Sequence, residues 1–208
     1  MKGGLPMALN INRDDGLQSF IGALEAGIRS RIKDYPDATP IVDRIFTTLN
    51  NTDGIQGNEK PTRLPVCDHL DNAFSQARKG PKTIYELTNA LTNIEQKLEW
   101  YRRPEAEKLS ADFFNGHANA VIVGEGGLEI RQDVRIGVSL VAPRIDYPRH
   151  HHPPEELYIA LAPGKWMQDD KELIHQNSGD LIHNPPNCRH AMQASQSPLL
   201  AIWCLWLN

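Results

Sequence analysis

The spacing of apolar residues changes near residue 115, and this change constrains the fold of the 208-residue chain more than any other feature. Before it, apolar residues such as Leu17, Leu24 and Ile28 recur at three- and four-residue intervals, which is typical of amphipathic helices. After it, short runs of β-branched and aromatic residues alternate with turns rich in glycine and proline. The sequence therefore predicts a mainly β protein with a helical N-terminal part (α+β). A helical subdomain is expected over residues 1–114 and a small β-barrel over residues 115–208.

Four helices are expected in the N-terminal part. The first follows Asp14 and Asp15, whose carboxylates can cap the free amides of a first helical turn. The segment 50–66 is rich in turn-forming residues and is predicted to be a loop. The remaining helices are expected near residues 41–49, 69–78 and 83–100.

Charge and composition exclude several classes of function. Lys and Arg total 22 against 26 Asp and Glu, a net charge of −4, and no basic cluster indicates a nucleic-acid partner. No window approaches the roughly 18 apolar residues of a membrane span, and the first residues lack the apolar core of a secretory signal. The three cysteines are widely spaced and form no CxxC pair, so we expect a cytoplasmic protein without a disulfide framework.

Histidine is concentrated in one part of the chain, because six of the eight histidines lie between residues 150 and 190. The segment YPRHHHPPEELY begins at Tyr147, and alternate side chains of a strand share a face. His150 and His152 therefore point together, as do Glu156 and Tyr158. Two imidazoles and a carboxylate that converge make a site for a first-row transition metal. Taken alone, the segment is also compatible with a solvated polar turn.

A second segment, GDLIHNPPNCRH over residues 179–190, adds a later histidine after a proline-rich turn. Together the two segments resemble the two motifs of the cupin family, HxHxxxE followed by glycine, and GxxxxxPxGxxH. Asn187 replaces the usual glycine of the second motif, and asparagine tolerates left-handed backbone better than most residues. The resemblance implies a double-stranded β-helix that carries a metal site. The matching residues are His150, His152, Glu156, Gly164, Gly179, Pro185 and His190.

At the patterns YPxHxHPxEExY and GxxxHNPPxxxH the chain is similar to the cupin-type bacterial dimethylsulfoniopropionate (DMSP) lyases of the Q and L types. The similarity covers residues 98–206. It implies a carbon–sulfur lyase that converts DMSP to dimethyl sulfide and acrylate by β-elimination. The metal ligands that it implies are His150, His152, Glu156 and His190. The catalytic residues that it implies are Tyr158 and Tyr147.

Of the two tyrosines, Tyr158 is the preferred base, because its spacing places it beside Glu156 on one face of a strand. Tyr147 would orient the substrate or relay the proton. The sulfonium group of DMSP is expected to rest against aromatic rings. A spacing of three places Trp203 and Trp206 on opposite faces of a strand, so only one of them faces the barrel. The candidate substrate-binding residues are Trp203, Trp206, Tyr101, Trp166 and His183.

The cofactor expected is one divalent transition metal ion, and three imidazoles with one carboxylate accept Fe, Zn, Mn, Ni or Co. Two other functions fit the cupin motifs, because this fold carries many activities. One is a metal-dependent oxygenase or isomerase acting on a small carboxylate, and the other is a non-catalytic small-molecule-binding protein. The apolar faces of the N-terminal helices are expected either to cover the barrel or to form the interface of a homodimer.

Overall fold

The computed structural model describes residues 13–51, 54–57 and 61–207. The α-helices are α1 Asp15–Arg29, α2 Thr39–Leu49, α3 Leu70–Ala77, α4 Lys82–Glu95 and α5 Ala111–Gly116. The first six strands are β1 Ile55–Gln56, β2 Trp100–Tyr101, β3 His117–Val123, β4 Glu129–Ile130, β5 Val134–Val141 and β6 Asp146–His150. The last six are β7 Glu155–Ala162, β8 Gly164–Gln168, β9 Ile174–Gln176, β10 Leu181–Asn184, β11 His190–Gln193 and β12 Leu199–Trp206.

The four predicted N-terminal helices are present, and the first begins as expected. Asp14 is the N-cap of α1, and its Oδ1 accepts a hydrogen bond from the Leu17 amide at 3.1 Å. Leu24 and Ile28, about two and three turns further along, are completely buried. The helices therefore form because each has one apolar face to bury against the others and against the sheet.

The fourth helix is shorter than predicted, because α4 ends at Glu95 and Trp100 begins β2. The indole Nε1 of Trp100 donates to Glu95 at 2.9 Å, and its backbone amide donates to the Thr62 carbonyl at 3.0 Å. These bonds hold a buried tryptophan in an extended segment despite its helical spacing. The predicted loop 50–66 contains the short strand β1, and its residues 52–53 and 58–60 lie outside the described residues.

Two sheets form the C-terminal part, and all their strand pairs are antiparallel except the parallel pair of β3 and β4. The larger has the strand order β1-β4-β3-β5-β12-β7-β10, with β2 paired to β3, and the smaller has the order β6-β11-β8-β9. One buried cluster contains Tyr147 and Trp166 of the small sheet together with Tyr158 and Trp203 of the large sheet, so the two sheets face each other. The prediction of a cupin double-stranded β-helix with a helical N-terminal part is confirmed.

The two faces of strand β7 lie in different environments. Leu157, Ile159 and Leu161 pack in the core cluster that also contains the helices, whereas Glu156 and Tyr158 line the space between the sheets. This is the alternation that the sequence predicts. Strands β1 and β2, which precede residue 115, join the same large sheet. None of the described helices is long and apolar enough to cross a membrane.

Candidate metal centre and active site

Two of the predicted metal ligands face each other across the small sheet. His150, the last residue of β6, is paired in register with His190, the first residue of β11. The centroids of the two imidazole rings are 4.1 Å apart. The antiparallel pairing of two strands therefore unites histidines that are 40 positions apart in the chain.

The other two predicted ligands approach from the turn before β7 and from β7 itself. His152 Nε2 lies 3.4 Å from Glu156 Oε2, and His190 Nε2 lies 3.1 Å from the same oxygen. One ligand atom from each of these three residues lies within 4.8 Å of the others, and Glu156 and His190 are buried. His150 completes the group, because its ring contacts that of His190 and lines the same cavity.

Backbone carbonyls orient all three imidazoles in the same way. The Nδ1 atoms of His150, His152 and His190 each lie 3.0 Å from a carbonyl oxygen, that of Pro148, Pro154 or Cys188 respectively. A carbonyl only accepts, so Nδ1 carries the proton and Nε2 presents a lone pair. This is the tautomer that a histidine needs in order to bind a metal through Nε2.

The environment of Glu156 fits a bound cation. His190 Nε2 is buried without a hydrogen-bond partner in the described chain, and it faces a carboxylate oxygen, so two acceptors oppose each other. Burial acts to raise the pKa of Glu156, and protons on the facing imidazoles of His152 and His190 would lower it to about 2. With neutral imidazoles, a metal ion between these acceptors supplies that positive charge instead and removes the conflict.

Two amides hold the Glu156 carboxylate in place. Asn184 Nδ2 donates to Glu156 Oε2 at 2.9 Å, and Gln168 Nε2 donates to Asn184 Oδ1 at 2.8 Å. Because the second bond occupies the amide oxygen of Asn184, its nitrogen must face the carboxylate. Such contacts fix the direction in which a metal ligand points. Both residues hold the Glu156 carboxylate in position, although the sequence analysis assigned neither of them a role.

A small open cavity of about 150 Å³ lies beside these four residues. Its lining combines three of the four candidate ligands, both predicted catalytic tyrosines and several other aromatic and polar side chains. The residues that line it are Tyr101, Arg103, Pro104, Asn119, Ser139, Tyr147, His150, His152, Glu156, Tyr158, Trp203 and Leu205.

Neither tyrosine is ionised at neutral pH by the protein surroundings alone. Burial, together with the nearby Glu156 carboxylate, raises the pKa of Tyr158 well above its usual value. Burial also raises the pKa of Tyr147 to about 12, although Asn119 and Arg103 act in the opposite direction. A positive charge beside Glu156 would offset the largest electrostatic obstacle to a Tyr158 phenolate.

A chain of hydrogen bonds ends at the hydroxyl of Tyr147. Trp203 Nε1 donates to Ser139 Oγ at 3.1 Å, and Ser139 donates to Asn119 Oδ1 at 2.6 Å. Asn119 Nδ2 then donates to the Tyr147 oxygen at 3.3 Å. An indole N–H only donates, so this order of donors is fixed. The phenol of Tyr147 is thus held as an acceptor, with its own proton directed elsewhere.

The structure separates the other candidate substrate-binding residues. Tyr101 and Trp203 line the cavity, whereas Trp166 is buried in the cluster between the sheets and is not part of the lining. Trp206 lies on the opposite face of β12, where the Arg44 guanidinium is 5.7 Å from its ring. The opposite orientations predicted for Trp203 and Trp206 are therefore observed.

His183 also lies away from the cavity. It pairs in register with Leu157 on the helical face of β7, and its Nε2 is 2.8 Å from Glu155 Oε1. The placement does not support contact between His183 and substrate. In the same motif Asn187 has a φ of 62°, the left-handed conformation that explains why asparagine can replace glycine there.

Three polar lining residues were missed in the sequence, namely Asn119, Ser139 and Arg103. Asn119 and Ser139 are buried polar residues in strands made mostly of apolar residues, and that interruption was a signal that could have identified them. Arg103 lies in the charged segment YRRPEAEK, where nothing in the sequence distinguishes it from a solvated arginine.

Comparison with known proteins agrees with this geometry. The sequence model of a family described as dimethylsulfoniopropionate lyase matches residues 38–201. The chain belongs to the DMSP lyase family. Dimethylsulfoniopropionate lyase DddQ of Ruegeria pomeroyi is 28% identical over 147 residues, which are 70% of this chain and 71% of that protein. The predicted lyase activity on DMSP, a small-molecule substrate, is thereby confirmed.

Solved structures of DMSP lyases share the fold. A chain from the crystal structures of the DMSP lyases RdDddP and RnDddQII superposes with a TM-score of 0.66 at 23% identity, covering 92% of both chains. DddQ from Ruegeria pomeroyi DSS-3 has a TM-score of 0.66 at 19% identity, covering 93% of this chain and 92% of that one. The likeness includes the helical part as well as the barrel, because nearly the whole chain is matched.

The indole of Trp203 depends on a glycine in the neighbouring strand. Trp203 pairs in register with Gly137, and a Cβ at that glycine would lie 2.1 Å from Cζ2 of the ring. We expect Gly137→Ala to displace the indole and to cost about 1–3 kcal/mol of unfolding free energy. The loss of a cation–π contact would raise KM for DMSP about 2- to 30-fold. Thermal unfolding and steady-state kinetics measure both effects.

The matched control is Gly22→Ala in α1, where an added Cβ meets no atom within 4 Å. This variant should leave KM unchanged. An unaltered KM in Gly137→Ala would show that the position of Trp203 does not matter for substrate binding.

Proposed function

We propose that His150, His152, Glu156 and His190 hold one divalent transition metal ion in a lyase that releases dimethyl sulfide and acrylate from DMSP. The observation that carries this proposal is the convergence of the His152 and His190 Nε2 atoms on the buried Glu156 carboxylate, with the His150 ring against that of His190. Nitrogen and oxygen donors of this kind suit Fe, Zn, Mn, Ni and Co alike. A bound divalent ion would neutralise the negative charge that develops on a substrate carboxylate during the reaction.

The proposed base is Tyr158. The proton to be removed lies on the carbon next to the DMSP carboxylate. The electron pair of the broken carbon–hydrogen bond forms the carbon–carbon double bond of acrylate as the carbon–sulfur bond breaks. The bonding pair of that broken bond leaves with sulfur, so the sulfonium departs as neutral dimethyl sulfide. The Tyr158 phenol lies close enough to Glu156 for that carboxylate to raise its pKa, so it also lies near any cation that Glu156 holds.

Tyr147 takes the positioning role in this proposal. Its oxygen accepts from Asn119, and its ring lies 5.1 Å from that of His150. The phenol therefore stands between the metal ligands and the Trp203–Ser139–Asn119 chain, where its proton can bond to substrate. After elimination, Tyr158 holds the abstracted proton, and Tyr147 lies within the same cavity to relay it.

The leaving group would rest against Tyr101 and Trp203. A sulfonium carries a permanent positive charge, and aromatic faces attract such cations by about 0.5–2 kcal/mol. Neutral dimethyl sulfide loses that attraction, which favours its release once the bond is broken.

Metal removal and replacement test the proposal. We expect a chelator to lower dimethyl sulfide release, measured by headspace gas chromatography, by at least about 100-fold, because the elimination then lacks its charge stabilisation. Adding back a divalent ion should restore release. Full activity in the metal-free protein, verified by elemental analysis, would contradict the proposal.

The same assay separates the other cupin functions. Elimination changes no net oxidation state, so release from the reloaded protein should be equal with and without oxygen, whereas an oxygenase would stop. A binding protein would release no dimethyl sulfide in either condition.

The three free cysteines support a cytoplasmic location, since reducing compartments keep thiols unpaired.

A further inference from the structure

Arg103 brings a permanent positive charge to the cavity. Its Cζ lies 5.9 Å from the centroid of the Tyr147 ring, and the residue lines the same space as His150 and Tyr158. Its charge acts on both tyrosines, because it opposes the rise in pKa that burial causes in Tyr147 and in Tyr158. No other arginine or lysine is among the residues that line this cavity.

The guanidinium has an unused donor. Arg103 Nη1 is buried and has no hydrogen-bond partner in the part of the chain that the structure describes. Glu156 is the single carboxylate of the lining, and its Oε2 already accepts a hydrogen bond from Asn184 Nδ2. A buried donor on a charged group costs free energy until it is satisfied, so the vacant Nη1 points to an anionic ligand.

A buried histidine fixes the backbone that carries this arginine. The amide of Arg103 donates to His117 Nε2 at 2.9 Å, and His117 Nδ1 lies 2.5 Å from the Phe113 carbonyl. Burial lowers the pKa of His117 to about 4, so its ring is neutral at physiological pH with the proton on Nδ1. The ring stacks on Phe113 with centroids 3.8 Å apart. The backbone of Arg103 is therefore held in a fixed position beside the cavity.

We propose that Arg103 binds the carboxylate of the substrate and sets the direction in which DMSP enters the site. A guanidinium offers two parallel donors that match the two oxygens of a carboxylate. The same charge repels a sulfonium, so the cationic end is directed away from Arg103 and toward the aromatic rings. This inference rests on the proposed function, because it assigns the charged ends of the substrate to opposite parts of that site.

The test compares two ligands of the same shape, propionate and its uncharged amide, propionamide. Equilibrium dialysis with radiolabelled ligand gives the dissociation constants for the metal-loaded wild type and for Arg103→Met. We expect Arg103→Met to bind propionate about 10- to 100-fold more weakly and propionamide equally well. Arg103→Lys, which keeps the charge but not the planar fork, should fall between the two. KM for DMSP should rise more than kcat falls.

Arg102→Met is the matched control, since it removes the same charge from the next residue. Arg102 donates to the Phe114 carbonyl at 2.8 Å, lies 4.2 Å from the Phe114 ring and does not line the cavity. Its propionate affinity should stay within about twofold of wild type. Unchanged propionate binding in Arg103→Met, or an equal loss of both ligands, would overturn the proposal.

This result is independent of the metal assignment. If His190→Ala kept its metal, the ligand set would be wrong, yet the contrast between propionate and propionamide at Arg103 would still be measured in the wild-type background. If instead the metal ligands are correct and the contrast is absent, only the role of Arg103 fails.

Discussion

The Tyr158→Phe variant should release dimethyl sulfide about 10²- to 10⁴-fold more slowly than wild type while it keeps its full metal content. This range is what a positioned general base contributes. Phenylalanine fills the same volume between the sheets, where Tyr158 is buried, so folding should be preserved. Headspace gas chromatography gives the rate, elemental analysis gives the metal, and thermal unfolding verifies the fold.

Two further variants make this test specific. Tyr85→Phe, at an exposed position of α4, removes a phenol far from the cavity lining and should retain wild-type activity. Tyr147→Phe should lower activity less than Tyr158→Phe, since it removes a positioning contact. If Tyr158→Phe remained as active as wild type and Tyr147→Phe did not, the roles of the two tyrosines would have to be exchanged.

The His190→Ala variant should lose bound metal, with an affinity lower by more than about 100-fold. Changes to residues that merely orient a metal ligand cost about 10- to 100-fold, and removal of a ligand should exceed that. His190 is completely buried between His150 and Glu156, so solvent does not replace its Nε2 easily. Metal content after dialysis against a weak chelator measures the effect.

His175→Ala is the appropriate comparison for that experiment. His175 lies in β9, is exposed and belongs to the same histidine-rich part of the sequence. Its removal should leave metal content and activity at wild-type values. Metal retention by His190→Ala, with the fold verified by thermal unfolding, would exclude His190 as a ligand.

The candidate metal ligands could be predicted from the sequence, because metal binding requires particular side chains in a recognisable pattern. His150, His152 and Glu156 stand out because they lie close together in the first motif, and His190 stands out because the second motif ends on it. The structure brings ligand atoms of His152, Glu156 and His190 together, with the His150 ring against that of His190. The alternation of β7 puts Glu156 and Tyr158 on the cavity side as expected. Strand period was sufficient to predict this, because it is a local property of the backbone.

Other parts of the site depend on packing between distant segments. Trp100 has helical spacing with respect to α4, but its bonds to Glu95 and Thr62 place it in a strand. Arg103 follows that strand, so its entry into the cavity depends on the same tertiary contacts and on His117. Residue type alone gives no measure of such burial, which explains why a charged side chain was not recognised as part of the site.

The two faces of β7 also limit how its length can vary. Leu157 and Ile159 anchor the helices, while Glu156 and Tyr158 serve the chemistry, and all four belong to one continuous ladder with β12. Inserting or deleting a single residue here would turn the carboxylate and the phenol toward the helices and bring leucine to the cavity side. Loops around the barrel can therefore gain or lose residues, but β7 can vary only by substitution.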